Sequence, residues 1–99
     1  MNYKISKQAE IDLENIWLYT FEEWSLEQAD YYFDLIMNEI EYISDNPKYG
    51  KDYNEIRKGY YRSRVKSHFI FYKINWKEET VEIVRILHQQ MDIDLHINK

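Results

Sequence analysis

The spacing of apolar positions changes character several times along the chain. At the start, Tyr3 and Ile5 alternate with polar neighbours, which predicts a short strand over residues 1–6. From Lys7 the period becomes helical. Ala9, Leu13, Ile16, Trp17, Thr20 and Trp24 recur at spacings of three and four, so one helix face extends to about Trp24. Ser25, with Gln28 three residues later, forms a capping box that opens a second helix. The inward stripe of that helix is Ala29, Tyr32, Phe33, Ile36, Ile40 and Ile43. Asn46-Pro47 ends it, because the residue before a proline is driven out of helical geometry. So short a junction between the helices folds them into an antiparallel hairpin.

Pro47 to Gly59 reads as a polar connector anchored by Tyr49 and Tyr53. Strand periodicity then returns, with Tyr61, Ser63 and Val65 on one face and Arg62, Arg64 and Lys66 on the other. Lys66-Ser67-His68 makes a tight turn into Phe69–Ile74, which is apolar on both faces and therefore central in a sheet. Asn75–Thr80 is the next turn, polar except for Trp76. Val81–Leu87 is again apolar on both faces, interrupted by Glu82 and Arg85. Met91 and Leu95 stand at helical spacing in the tail, enough for a short terminal helix. The order is β-α-α-β-β-β: an α+β domain of two layers, its helical hairpin packed on one face of a mainly antiparallel sheet. The first strand joins that sheet across the hairpin.

Each helix also carries a weaker apolar stripe on its far side: Ile11 and Leu18 on the first, Tyr31, Leu35 and Tyr42 on the second. Scattered exposed apolar residues are normal, yet two such stripes on one hairpin also suit a partner lying across it.

Composition narrows the class. The 99 residues fit one domain, 1–99. Aromatic residues make up 17%, too much for a disordered chain. The absence of cysteine removes disulfides, thiolate zinc sites and a cysteine nucleophile, and it suits a reducing, cytoplasmic setting. No apolar run approaches the roughly 20 residues of a membrane span, and Met1 to Ile5 does not read as a signal peptide.

The net charge of −5 argues against a nucleic-acid-binding role of its own. That charge is unevenly spread. Residues 1–46 hold two cations against eleven acids, whereas residues 47–99 hold eleven cations against seven acids. Two readings fit: a basic sheet compensating an acidic helical layer, or a basic surface shaped for an anionic partner. Arg85 poses the same choice within an apolar strand, either paired internally or aimed outward. Strict alternation puts Arg85 and His88 on opposite faces unless a bulge intervenes. His88, Asp92, Asp94 and His96 match no metal-ligand spacing, so no metal is expected. Gly50 and Gly59 stand alone, so there is no phosphate-binding loop, and no cofactor is expected.

Several words in this order resemble the RelE/ParE superfamily of toxins from type II toxin–antitoxin systems. They are Ala9–Trp17 in the first helix, Ile43–Gly50 at the end of the second, Tyr61-Arg62-Ser63, Phe69–Tyr72 and Ile83–Asp92. The last word, Arg85-x-x-His88 followed by Met91-Asp92, is similar to the ParE branch. That resemblance implies a toxin that inhibits DNA gyrase by binding, without catalysis, and is held in check by a cognate antitoxin. On this reading Arg62, Arg64, Arg85 and His88 contact the target. The antitoxin lies on Ile11, Leu18, Tyr31, Leu35 and Tyr42. The alternative branch, resembling RelE, cleaves messenger RNA on the ribosome. It would use Arg62, Arg64, Lys66, Arg85 and His88 as cations and general base if they converge. RelE-like enzymes often place a functional Tyr or His near the C-terminus. Here no tyrosine follows Tyr72, and only His88 and His96 remain.

Overall fold

The structure, a computed structural model, describes residues 1–97. Strand β1 (Asn2–Ile5) leads into helix α1 (Lys7–Glu23), and α2 (Leu26–Asp45) returns against it. Four strands follow, β2 (Lys51–Asp52), β3 (Tyr60–Val65), β4 (His68–Asn75) and β5 (Thr80–His88), and then the short helix α3 (Ile93–Ile97). The terminal helix thus reaches Ile97, and residues 98 and 99 lie outside the described part. One sheet holds all five strands in the order β1-β5-β4-β3-β2. The last three long strands form the expected antiparallel meander, and β1 crosses the hairpin to pair parallel with β5 at the edge.

Capping fixes both helix starts. Ser6 Oγ accepts from the Ala9 amide at 3.0 Å and donates to the Val84 carbonyl at 2.9 Å, pinning the head of α1 to β5. Ser25 Oγ accepts from the Gln28 amide at 3.0 Å, as the capping box requires.

The sheet has a core on each face. Under the hairpin lie Leu13, Ile36, Ile40 and Ile43 from the helices, with Ile70, Tyr72, Ile83 and Ile86 from the sheet. A smaller cluster of Tyr60, Phe71, Leu87 and Ile97 occupies the opposite face, flanked by Tyr53 and Ile93. In α3, Ile93 and Ile97 therefore face inward and the expected pair does not; Met91 and Leu95 are exposed. Two residues of the inward helical stripes also face water. Trp24 sits at the hairpin turn, beyond the sheet, and Phe33 is exposed on α2. Leu35, expected on the outer surface, packs against the main core instead. Tyr49 is not a buried anchor: it is exposed and meets Tyr42 edge-on at 4.8 Å.

The two-residue strand β2 has no periodicity of its own to announce it. Its neighbourhood explains the Asn46–Gly50 word. Buried Tyr72 donates its hydroxyl proton to the Pro47 carbonyl and accepts from the Gly50 amide, both at 2.9 Å. A Cβ on residue 50 would strike the Tyr72 hydroxyl and lie 2.9 Å from the Arg62 carbonyl, so only glycine fits.

Candidate functional site

Two surfaces carry unspent chemistry, one on each face of the sheet. Between them runs an ion pair that locks the layers together. Asp12, on α1, accepts from Arg85 Nε at 2.9 Å and from its Nη2 at 3.0 Å, a bidentate fork. Asp12 also accepts from the Ile86 amide at 3.0 Å. Strand β1 stops pairing at Ile83, and the Ser6 amide then bonds to the Ile83 carbonyl, so the Asp12 carboxylate continues where β1 ends. Both side chains are largely buried, and the hydrogen bonds to Asp12 raise the Arg85 pKa further. Arg85 is therefore paired internally.

The turn of register lies just before it. Phe71 pairs with Arg85 and Tyr72 with Ile83, leaving Val84 as the extra residue of a bulge. Beyond the bulge the alternation restarts: Ile86 enters the main core and Leu87 the smaller one. Because the bulge precedes Arg85, it does not bring Arg85 and His88 together. His88 lines a groove on the hairpin side, whereas Arg85 borders a separate hollow with Arg57 and Tyr60.

That groove, of about 720 Å³, opens between the hairpin turn and the end of the sheet. Ile16, Tyr19 and Trp24 form its helical wall, and Ile86 and Met91 its sheet wall. On its floor His68 and His88 face each other as register partners, rings edge-on at 5.1 Å. Tyr32 Oη lies 2.7 Å from His68 Nδ1 and 3.0 Å from the Val65 carbonyl. Its single proton goes to the carbonyl, so His68 Nδ1 is the donor to the phenol and Nε2 is left bare. Burial, helped by the adjacent His88, pushes His68 down to about 4 against a smaller opposing pull from Asp12. At neutral pH the ring is thus uncharged and an acceptor. His88 takes the converse tautomer, since its Nδ1 accepts from the Gln90 amide at 3.1 Å. Sequence reasoning singled out His88 but not His68. The available signal was the tight turn, which sets Val65 opposite His68 and, through β4, His68 opposite His88.

The other surface lies across the sheet. Arg62 stacks its guanidinium on Phe69, 4.2 Å from the ring centre, and on Tyr53 at 5.1 Å. Arg64 is exposed, 5.8 Å from the same Phe69 ring, and is held by the Lys66 carbonyl and Gln89 Oε1, both at 2.7 Å. Among the described residues, neither arginine has a carboxylate within ion-pair distance. Ser63, on the opposite face of the same strand, turns to Glu39 of α2 instead. The structure thus brings Arg62 and Arg64 together on Phe69, while Arg85 is turned to Asp12 and His88 to the groove. On the hairpin's outer side, Ile11, Leu18, Tyr31 and Tyr42 are exposed. No helix among the described residues is long and apolar enough to cross a membrane.

Comparison with known proteins agrees with this architecture. Residues 3–93 match the family model described as ParE toxin of type II toxin-antitoxin system, parDE. Toxin ParE1 of Mycobacterium tuberculosis is 37% identical over 95 residues, covering 96% of each chain. Toxin ParE1 of Caulobacter vibrioides is likewise 37% identical over 95 residues, with the same coverage. A chain of the chromosomal ParDE TA system from P. aeruginosa superposes with a TM-score of 0.77 at 16% identity, over 89% of this chain and 95% of that one. A chain of the toxin-antitoxin complex RelBE2 from Mycobacterium tuberculosis gives 0.60 at 20% identity, over 88% and 95%. At those identities the two structures speak for the fold. With the family model spanning nearly the whole chain and the sequence relatives matching along their length, this chain belongs to the ParE family of toxins of type II toxin–antitoxin systems.

Proposed function

We propose that this ParE-family toxin acts on DNA gyrase by binding, traps the enzyme on cleaved DNA and so blocks replication, until a cognate antitoxin covers it. The observation that carries this reading is the Arg62–Arg64 face. Two guanidiniums supported by Phe69 and Tyr53 stand without acidic partners among the described residues, on a protein whose hairpin is strongly acidic. Such a face recognises a macromolecule by charge and shape. Arg85 plays no direct part in the contact, being engaged by Asp12. The antitoxin lies across Ile11, Leu18, Tyr31 and Tyr42, the exposed apolar positions of the hairpin's outer side.

A second reading, ribosome-dependent RNA cleavage, draws support from His68, uncharged at neutral pH, beside Tyr32, His88 and Lys66. It lacks the clustered cations that phosphorane charge requires, since among the described residues Lys66 is the one lysine or arginine lining that groove. Purified protein mixed with gyrase and supercoiled DNA separates the two. Protein-linked DNA breaks support the gyrase reading; intact DNA, with transcripts cut on translating ribosomes, overturns it.

A further inference from the structure

The hollow that Arg85 borders takes no part in either proposed contact, and its lining is chemically one-sided. It measures about 620 Å³, with walls from the head of α1, the turn ahead of β3, strands β3 and β5, and α3. Among the described residues, two arginines and a histidine line it and no carboxylate does, in a chain whose net charge is −5. Arg57 is fixed by its own turn: its amide donates to the Tyr53 carbonyl at 3.0 Å, and its carbonyl accepts from the Tyr60 amide at 3.1 Å. Its guanidinium lies 5.7 Å from the Tyr60 ring centre and donates through Nη1 to the Ile97 carbonyl at 3.3 Å. No acid stands within ion-pair distance of it among the described residues, so its charge is unspent. Arg85 is neutralised by Asp12, but that fork uses Nε and Nη2 and leaves the N–H groups of Nη1 as fixed donors. Tyr60 points most directly to a ligand. The residue is only 8% exposed, yet its hydroxyl has no hydrogen-bond partner among the described residues. No fully buried polar side-chain atom among them lacks a partner, so this hydroxyl reaches open space, and the space that Tyr60 lines is the hollow.

We propose that this hollow binds the phosphate group of a nucleotide-sized phosphate monoester, with Arg57 supplying the charge and Arg85 Nη1 and Tyr60 Oη the orienting donors. The donors arrive from three separate elements, which suits the divergent oxygens of a phosphate better than the single plane of a carboxylate. The volume exceeds that of a bare phosphate, and Leu95 with the Tyr60 ring offers the remainder an apolar wall for a sugar or base. Side chains rather than successive amides hold the anion, so a glycine-rich loop is not needed. A polyanion is disfavoured. Glu10 and Glu14 are exposed on α1, whose first turn borders the hollow, and they repel a DNA strand more than a single phosphate. Because α3 and the head of α1 both line the site, occupancy ties the terminal helix to the rest of the fold and raises the melting midpoint by mass action.

The test needs neither gyrase nor an antitoxin. The whole protein is titrated with adenosine 5′-monophosphate at constant ionic strength and followed by proton–nitrogen NMR. Saturable shifts are expected at Arg57, Tyr60 and His96, together with a higher melting midpoint. Inorganic phosphate competes for the same signals, and adenosine, which lacks the phosphate, binds about tenfold more weakly or worse. Arg57→Gln is expected to weaken binding by about tenfold and Tyr60→Phe by about fivefold. Lys77→Gln, the same charge change in the exposed β4–β5 turn, stays within about twofold. Tyr60→Phe keeps the ring in its core, and circular dichroism checks that each variant is folded. Absence of saturable shifts, equal affinity for adenosine, or both Arg57→Gln and Tyr60→Phe within about twofold of the parent overturns the site. Tighter binding of a short DNA duplex than of the monophosphate overturns the small ligand in favour of a nucleic-acid backbone.

Discussion

Single side chains decide how the two layers hold together. Asp12 closes three hydrogen bonds in a site from which water is mostly excluded, so removing it orphans a guanidinium and a backbone amide together. Asp12→Ala is expected to cost about 2–4 kcal/mol, below the loss for a fully buried pair because some solvent reaches Arg85. Chemical denaturation measures it. Arg85→Ala is expected to lower stability similarly and, on the proposed gyrase reading, to leave DNA cleavage through gyrase unchanged at temperatures where the variant stays folded. Tyr72→Phe leaves the Gly50 amide and the Pro47 carbonyl unpaired and costs about 1–3 kcal/mol by the same measurement. His68 gives the stability a pH dependence. The unfolded chain takes up a proton near pH 6.5, whereas the fold refuses it until about 4. Stability from this group is therefore present above about pH 6.5 and lost as the pH falls through that window. After allowing for solvent around a half-buried ring, the loss is about 1–2 kcal/mol, and His68→Gln removes it from the melting curves. The sequence left the Arg85 pairing open because Asp12 lies 73 residues away. Once β1 is known to end at Ile5, an acid on the inner side of α1 becomes the natural substitute.

At the scale of elements, the periods of three, four and two carried most of the fold. The hairpin, the meander and the crossover of β1 all appear where the alternation places them. What periodicity missed has physical reasons. A two-residue strand such as β2 offers no repeat to detect; the Tyr72 hydroxyl holds the 47–50 turn ahead of it, and Lys51 then pairs with Arg62. The bulge at Val84 breaks the alternation of β5, and an extra valine between Ile83 and Arg85 looks in the sequence like any other strand residue. Trp24 and Phe33 fit the helical stripe but lie beyond the sheet or on its margin, where spacing says nothing about what stands opposite. The Tyr61/Arg62 alternation was legible throughout, since β3 holds its pairing with β4 without a break from Tyr60 to Val65. The same regularity makes a prediction. Gly50→Ala forces a Cβ against the Arg62 carbonyl and displaces the strand that presents Arg62. A drop of about 1–3 kcal/mol in denaturation is expected, with weaker target binding even where the protein remains folded.

For the whole molecule, the uneven charge seen in the sequence becomes an arrangement of surfaces. The acidic residues cluster in the part of the chain that forms the hairpin, while Arg62 and Arg64 of β3, without a carboxylate partner among the described residues, face away from it across the sheet. Ion pairing between layers is confined, among the described residues, to Asp12–Arg85; the remaining pairs, Lys4–Glu78 and Lys73–Glu82, are exposed and weak. The cationic face is therefore not consumed by the fold. On the proposed gyrase reading, contact through it is screened by salt, and inhibition is expected to fall as ionic strength rises. A gyrase DNA-cleavage assay, comparing the unaltered toxin with Arg62→Gln combined with Arg64→Glu, bears most directly on the central claim. Protein-linked breaks from the unaltered toxin, reduced by about tenfold or more in the variant, are the predicted outcome. Equal cleavage by both proteins, or no cleavage by either while translated transcripts are cut, would contradict it.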